Sequence, residues 1–168
     1  MICSLFNIES SAFTIEQVDY DDEIELVRRK MKLSNYYRPN DQARLVHQLQ
    51  LKNWPTDQTV PSSRNAVLRL VNLIKQSRAE QETPTRVLGK HFKKRFKLNH
   101  YNQVHCVAGA GRSGTFAACF CALEQMSQID ETDIFGSVLQ LRSVRPQLVE
   151  TLEQYRFIYE VAIEAAQH

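Results

Sequence analysis

A mixed α/β domain, with one mostly central sheet flanked by helices, is the fold class this sequence predicts. Two alternating segments early in the chain argue for strands. Helical periodicity dominates the second half. Between the two lies VHCVAGAGRSG (104–114), a glycine-rich segment set between an expected strand end and an apolar run.

The chain has 168 residues, the size of one ordinary domain. Its 43% hydrophobic and 24% charged composition is that of a globular protein rather than a disordered one. A net charge of +2 gives no general case for nucleic acid or membrane, so an anionic ligand has to be argued locally. The opening MICSLFNIESSAF lacks a basic start and a long apolar core, and no run reaches transmembrane length. A cytoplasmic setting is therefore expected. Cys3, Cys106, Cys119 and Cys121 form no CxxC pair and have no zinc-type histidine spacing, so reduced thiols, no metal and no cofactor are expected.

The elements follow in order. The cluster Asp19, Asp21, Asp22 and Glu23 reads as a solvated turn. IELVRRKMKL (24–33) and RLVHQLQLKNW (44–54) read as a hairpin, the second with Leu45, His47, Leu49 and Leu51 on one face. Tyr36, Pro39, Asn40 and Asp41 would form the connection. WPTDQTVPSS (54–63) is a proline-bounded loop. Ser62 or Ser63 can cap a helix carrying Val67, Leu70, Val71 and Ile74 at helical spacing. KHFKKRFK (90–97) could attract acidic lipid or nucleic acid, but such a run is more often a solvated loop, and neither partner is expected here. A short strand is expected to end at Val104 and His105. FAACFCALEQM (116–126) is apolar on nearly every side and predicts a deeply buried helix. Ile134, Val138 and Leu141 mark another helix. Thr151 with Gln154 three positions on suggests a capping box for the last, running through Tyr155, Ile158 and Ala162.

The glycine-rich segment can cradle an anion. Five residues separate Cys106 from Arg112, enough for the loop to curl its N–H groups toward one centre. Gly109 and Gly111 permit positive φ and close backbone approach. A following helix would aim its positive N-terminus at the same point. The Arg112 guanidinium matches two phosphate oxygens. Such a field favours thiolate at Cys106. His105 could shape the loop, and Ser113 could donate to the sulfur. The plain alternative is a strand–helix turn with a buried cysteine.

VHCVAGAGRSGTF resembles the signature loop of cysteine-dependent protein tyrosine phosphatases. NWPTDQTVPSS is similar to the movable tryptophan-proline-aspartate loop of the tyrosine-specific, or classical, members, and LRSVRPQLVETLEQYRFIYE to their C-terminal glutamine segment. RRKMKLSN and RLVHQLQLKNW resemble the strands before the movable loop. The resemblance spans about 22–165. It implies a phosphatase-like domain over 22–168, preceded by an N-terminal segment over 1–21.

It further implies hydrolysis of phosphotyrosine in a protein substrate through a phosphocysteine intermediate, without metal. Cys106 would be the nucleophile and Arg112 the phosphate clamp, and His105, Val107, Ala108, Gly109, Ala110 and Gly111 would line the cup. Asp57 would be the general acid, Ser113 would assist the sulfur and Gln154 would be the second glutamine of the C-terminal segment.

Four departures stand against the pattern. Thr56 lengthens the loop before Asp57. Glu150 replaces a glutamine before Thr151, putting a carboxylate near the phosphate. Nothing matches the asparagine-arginine-tyrosine motif whose tyrosine sets pocket depth. Tyr101-Asn102-Gln103-Val104 is less apolar than the usual strand entering the loop. These imply a domain short of part of its N-terminal portion, with room for a partner chain to cover the gap. They also keep open an impaired pseudophosphatase that binds phosphotyrosine without turnover.

Overall fold

The expected hairpin is present as β2 (Leu26–Asn35) and β3 (Arg44–Leu51), antiparallel and in continuous register from Leu26↔Leu51 to Leu33↔Arg44. The computed structural model describes residues 12–38, 40–79, 103–129 and 131–167. Pro39 of the hairpin connection, the basic run 90–97 and Cys3 lie outside them. Leu45, His47, Leu49 and Leu51 share a face, as alternation requires. Only its lower end meets the core: Leu51 is buried and Leu49 packs against the core cluster, whereas Leu45 is exposed.

The acidic cluster is not a turn. Asp19, Asp21 and Asp22 belong to a first strand, β1 (Phe13–Asp22), which pairs antiparallel with β2 and gives the order β1-β2-β3. Cross-strand charge accounts for it. Glu16, Asp19 and Asp21 stand opposite Lys32, Lys30 and Arg28, with a register shift between Gln17 and Asp19. The Asp21 carboxylate takes two hydrogen bonds from Arg28, and Lys52 Nζ lies 2.7 Å from Asp22 Oδ1. An isolated acidic run would repel itself, but Glu16, Asp19 and Asp21 each face a cation of β2, and Asp22, opposite Val27, is met by Lys52. On the other face Arg29 lies over the Tyr20 ring at 5.5 Å and donates to Gln48 and Gln50.

Four helices complete the described chain. Ser63 Oγ accepts from the Ala66 N–H, making it the cap of α1 (Arg64–Ala79), with Val67, Leu70 and Val71 buried. The next helix, α2 (Gly111–Ile129), is buried on nearly all sides, as its uninterrupted apolar sequence demands. It packs against α3 (Ile134–Val144) and α4 (Leu152–Ala166). Ile134, Val138 and Leu141 are the buried stripe of α3, and Ile158 and Ala162 belong to that of α4. Helix α1 bridges α4 and β3, so the described sheet meets the helices mainly through β3 and α2 holds the centre. Among the described residues no helix is long and apolar enough to cross a membrane.

Two local expectations are corrected. Residues 103–106 are irregular rather than a strand. A strand needs a hydrogen-bonded neighbour, and β3 ends the described sheet without pairing to this segment. The box at the start of α4 is half formed. Thr151 Oγ1 accepts from the Gln154 N–H, but the Gln154 side chain turns to the Glu150 N–H instead of returning to Thr151.

The fold positions α2 against the 148–149 turn with no room for a side chain. A Cβ on Gly114 would lie 2.6 Å from the Val149 nitrogen and 2.9 Å from Leu148 Cα. Both are backbone atoms, which cannot swing aside. We predict that Gly114→Ala lowers stability by about 1–3 kcal/mol, the usual penalty for overpacking. It should appear as a lower midpoint in urea unfolding, and an unchanged midpoint would show that the turn can retreat freely.

Candidate functional site

Residues 103–110 run without regular structure into α2, whose first residue is Gly111. The loop closes on its own thiol: the Gly109 N–H donates to Cys106 Sγ at 3.1 Å. Gly109 makes this turn at φ 67, in the left-handed region that L side chains rarely adopt. Gly111 serves differently. A Cβ there would collide with the Glu150 carboxylate and come within 2.8 Å of Gln154 Nε2.

The first turn of α2 supplies unpaired N–H groups and the positive end of a helix dipole, and it contains no acidic residue. Arg112 stands in that turn, half-buried, with Nη1 donating to the Trp54 carbonyl at 3.1 Å. Arg145 approaches from the end of α3. Its Nη2 donates to the Ala108 carbonyl at 3.1 Å, and Nη1 lies 3.0 Å from where a Gly109 Cβ would stand. The Arg145 guanidinium and a helix N-terminus thus meet at the loop that begins at Cys106, while the Arg112 guanidinium, in the same helical turn, reaches the Trp54 carbonyl.

Burial pushes the Cys106 thiol up. The Ser113 hydroxyl and the N–H groups of Ser113, Gly109 and Ala110 outweigh it and hold the thiol below its ordinary range. Ser113 Oγ is buried and makes no hydrogen bond of full geometry, so its contribution at the sulfur is a matter of proximity and orientation rather than a closed bond. Cys119 and Cys121 lie in the interior of α2, where burial above all pushes both thiols up, Cys121 to about 12 with the nearby Glu124 carboxylate adding to the rise.

His105 is half-buried just before the thiol, Val107 and Ala108 are exposed, and Ala110 is buried. Trp54, 2% exposed, anchors the proline-bounded loop and donates from Nε1 to the Thr59 carbonyl. Asp57 is exposed in the turn closed by the Gln58 N–H on the Pro55 carbonyl. Gln154 is buried. Its Oε1 accepts from the Glu150 N–H at 2.8 Å and its Nε2 donates to the Thr59 carbonyl at 3.1 Å.

Three contributors escaped the reading of the sequence. Arg142 donates to the Leu148 and Val149 carbonyls at 2.9 and 2.5 Å. Those bonds grip Val149, a β-branched residue held at φ 61, a conformation that costs about 1–3 kcal/mol. Arg145 and the Thr59 carbonyl are the others. The spacing of the two arginines in LRSVR, three apart at a helix end, was the available signal for the pair. A backbone carbonyl leaves none.

A family model for the protein-tyrosine phosphatase domain matches residues 6–164. The chain is similar to receptor-type tyrosine-protein phosphatase U of Gallus gallus, 29% identical over 150 residues, covering 89% of this chain and 9% of the relative. It is similar to receptor-type tyrosine-protein phosphatase epsilon of Rattus norvegicus and of Homo sapiens, 35% identical over 124 residues, covering 74% of this chain and 15% of each relative. The chain therefore spans a small fraction of the length of these relatives.

The thiol environments differ enough to be read chemically. Alkylation by iodoacetamide should reach Cys106 first and reach half its maximal rate below the ordinary thiol pKa, because only thiolate reacts. Cys119 and Cys121 should react only on unfolding. Peptide mapping after brief labelling at neutral pH checks this, and labelling of Cys121 ahead of Cys106 would contradict the assignment.

Proposed function

The chain belongs to the protein-tyrosine phosphatase family, and on that premise we propose that it hydrolyses phosphotyrosine in proteins through a phosphocysteine intermediate on Cys106. The observation that carries this is the Gly109 N–H on the Cys106 sulfur at the mouth of α2, with Arg112 in the first helical turn. A thiol held below its usual range beneath converging donors is suited to attack an electrophilic phosphorus, and the same donors suit the oxygens of the transferring group.

In the first step the Cys106 thiolate attacks phosphorus as the bond to the tyrosine oxygen breaks. The loop N–H groups and Arg112 take up the charge on the equatorial oxygens. Asp57 delivers a proton to the leaving oxygen. In the second step water attacks phosphorus, the P–S bond breaks, Asp57 takes the water proton, and Cys106 returns as thiolate, eased by the Ser113 hydroxyl. His105 and the 107–111 backbone hold the cup in shape. A thiolate nucleophile needs reducing surroundings, so we place the domain in the cytoplasm, on phosphotyrosine signalling proteins.

Glu150 is the distinctive element. Its carboxylate lies against Gly111 at the start of α2, where the dipole favours an anion. The same position sets it against a phosphoryl group. We assign it as a brake on the second step, in which the attacking water has to enter beside that charge.

Hydrolysis of p-nitrophenyl phosphate tests the proposal. Cys106→Ser should abolish turnover. Arg112→Lys should lower kcat by roughly 100-fold or more, since a point charge cannot replace a bidentate fork. Oxyanion binding without any turnover in the wild-type chain would leave a binding module and overturn the enzymatic reading.

The second step has its own test. Rapid-quench traces should show a burst followed by a slower steady rate. Glu150→Gln should raise the steady rate about tenfold, equivalent to roughly 1.4 kcal/mol, with little change in the burst. An unaltered steady rate would clear Glu150 of the braking role.

A further inference from the structure

We propose that Gln154 is a positioning residue that latches the 54–63 loop to the start of α2, the helix that follows the Cys106 loop. This rests on the phosphatase reading for its consequence in catalysis and goes beyond it in assigning the loop a fixed bolt.

The Gln154 amide joins three segments that are distant in sequence. Its Oε1 accepts from Glu150 N–H in the 148–151 turn, its Nε2 donates to the Thr59 carbonyl in the loop, and the same nitrogen lies close against Gly111 at the start of α2. The partners fix which end is which, because an N–H needs an acceptor and a carbonyl needs a donor. Only a side chain that accepts at one end and donates at the other fills this position. A carboxylate of the same shape would set oxygen against the Thr59 oxygen.

The loop is thereby held at two points by donors from the helical half. Arg112 Nη1 donates to the Trp54 carbonyl, and Gln154 Nε2 to the Thr59 carbonyl, which also receives Trp54 Nε1. Asp57 lies between these two points, in the turn from Pro55 to Gln58. The loop on either side of Asp57 is therefore tied to the helical half by two bonds. Gln154 is 4% exposed, so its bond to the Thr59 carbonyl is largely shielded from water. On the other side of the node, the Glu150 N–H that Gln154 accepts follows the strained Val149, which Arg142 holds in place.

Trp54 makes the latch directly observable, because it is the single tryptophan of the chain and lies on the loop. In the whole chain, acrylamide should quench its fluorescence weakly in the wild type and severalfold more strongly in Gln154→Glu. Gln154→Met, of similar length and without donor or strong acceptor, should behave like Gln154→Glu and serves if the buried charge prevents folding. Circular dichroism establishes that the variant compared is folded. Quenching equal to wild type in a folded variant overturns the latch.

A leaving-group comparison supplies the second readout. Loosening Asp57 should lower kcat for phenyl phosphate, which needs a proton on departure, about tenfold more than for p-nitrophenyl phosphate, with KM changed little. Equal losses on the two substrates would overturn the link to Asp57. Absence of hydrolysis in the wild type would sink the phosphatase reading and leave the quenching result standing, so the two failures are distinguishable.

Discussion

The close approach of the first turn of α2 to the 148–154 segment is the constraint on which the site depends. Gly111 and Gly114 remove the side chains that would hold the two apart. Val149 accepts a left-handed φ so that the turn can lie flat against the helix, and Arg142 ties down the carbonyls on either side of that strain. Backbone strain persists where surrounding bonds over-determine it. Given this contact, the Thr151 cap of α4, the Glu150 carboxylate and the Gln154 amide all arrive at the mouth of the helix that Cys106 faces.

At that mouth burial and hydrogen bonding act on the Cys106 thiol in opposite directions. Desolvation works against a thiolate at Cys106, while hydrogen-bond donors from Ser113, Gly109 and Ala110 work for it and win. At Cys119 and Cys121, on the same helix, burial dominates and keeps both thiols protonated. Arg112 and Arg145 add positive charge, and Glu150 is the carboxylate set against Gly111 within it. The ion pairs of the sheet are a different matter. They are solvent-exposed, as Arg28–Asp21 and Lys52–Asp22 show, and such pairs contribute about 0–1 kcal/mol each. They select the pairing of β1 with β2 more than they stabilise it.

The loop 54–63 links the two halves of the molecule. Trp54 sits in the core against Phe157 of α4, with ring centroids 6.4 Å apart, while its carbonyl faces Arg112. One residue thus couples core packing to the cup. Asp57 stands in the exposed stretch of the same loop, from Pro55 to Gln58.

Local signals were legible in the sequence. The turn from Cys106 to α2 is contiguous, so its glycines, thiol and guanidinium announce one another by spacing. The helices declared themselves by apolar periodicity and by Ser63 and Thr151 at their starts, and β2 with β3 by alternation across a short connection. By itself the sequence determined these elements and the residue types brought to the cup. The tertiary structure decided what depends on neighbours far along the chain. It made the acidic cluster a strand, because carboxylates that repel in isolation are neutralised opposite Arg28 and Lys30. It left 103–106 irregular, because a strand exists only through its partner. It gave the Gln154 amide to Glu150 and Thr59 rather than to its own cap, because a buried amide must satisfy both ends and the partners nearest to hand were supplied by the fold.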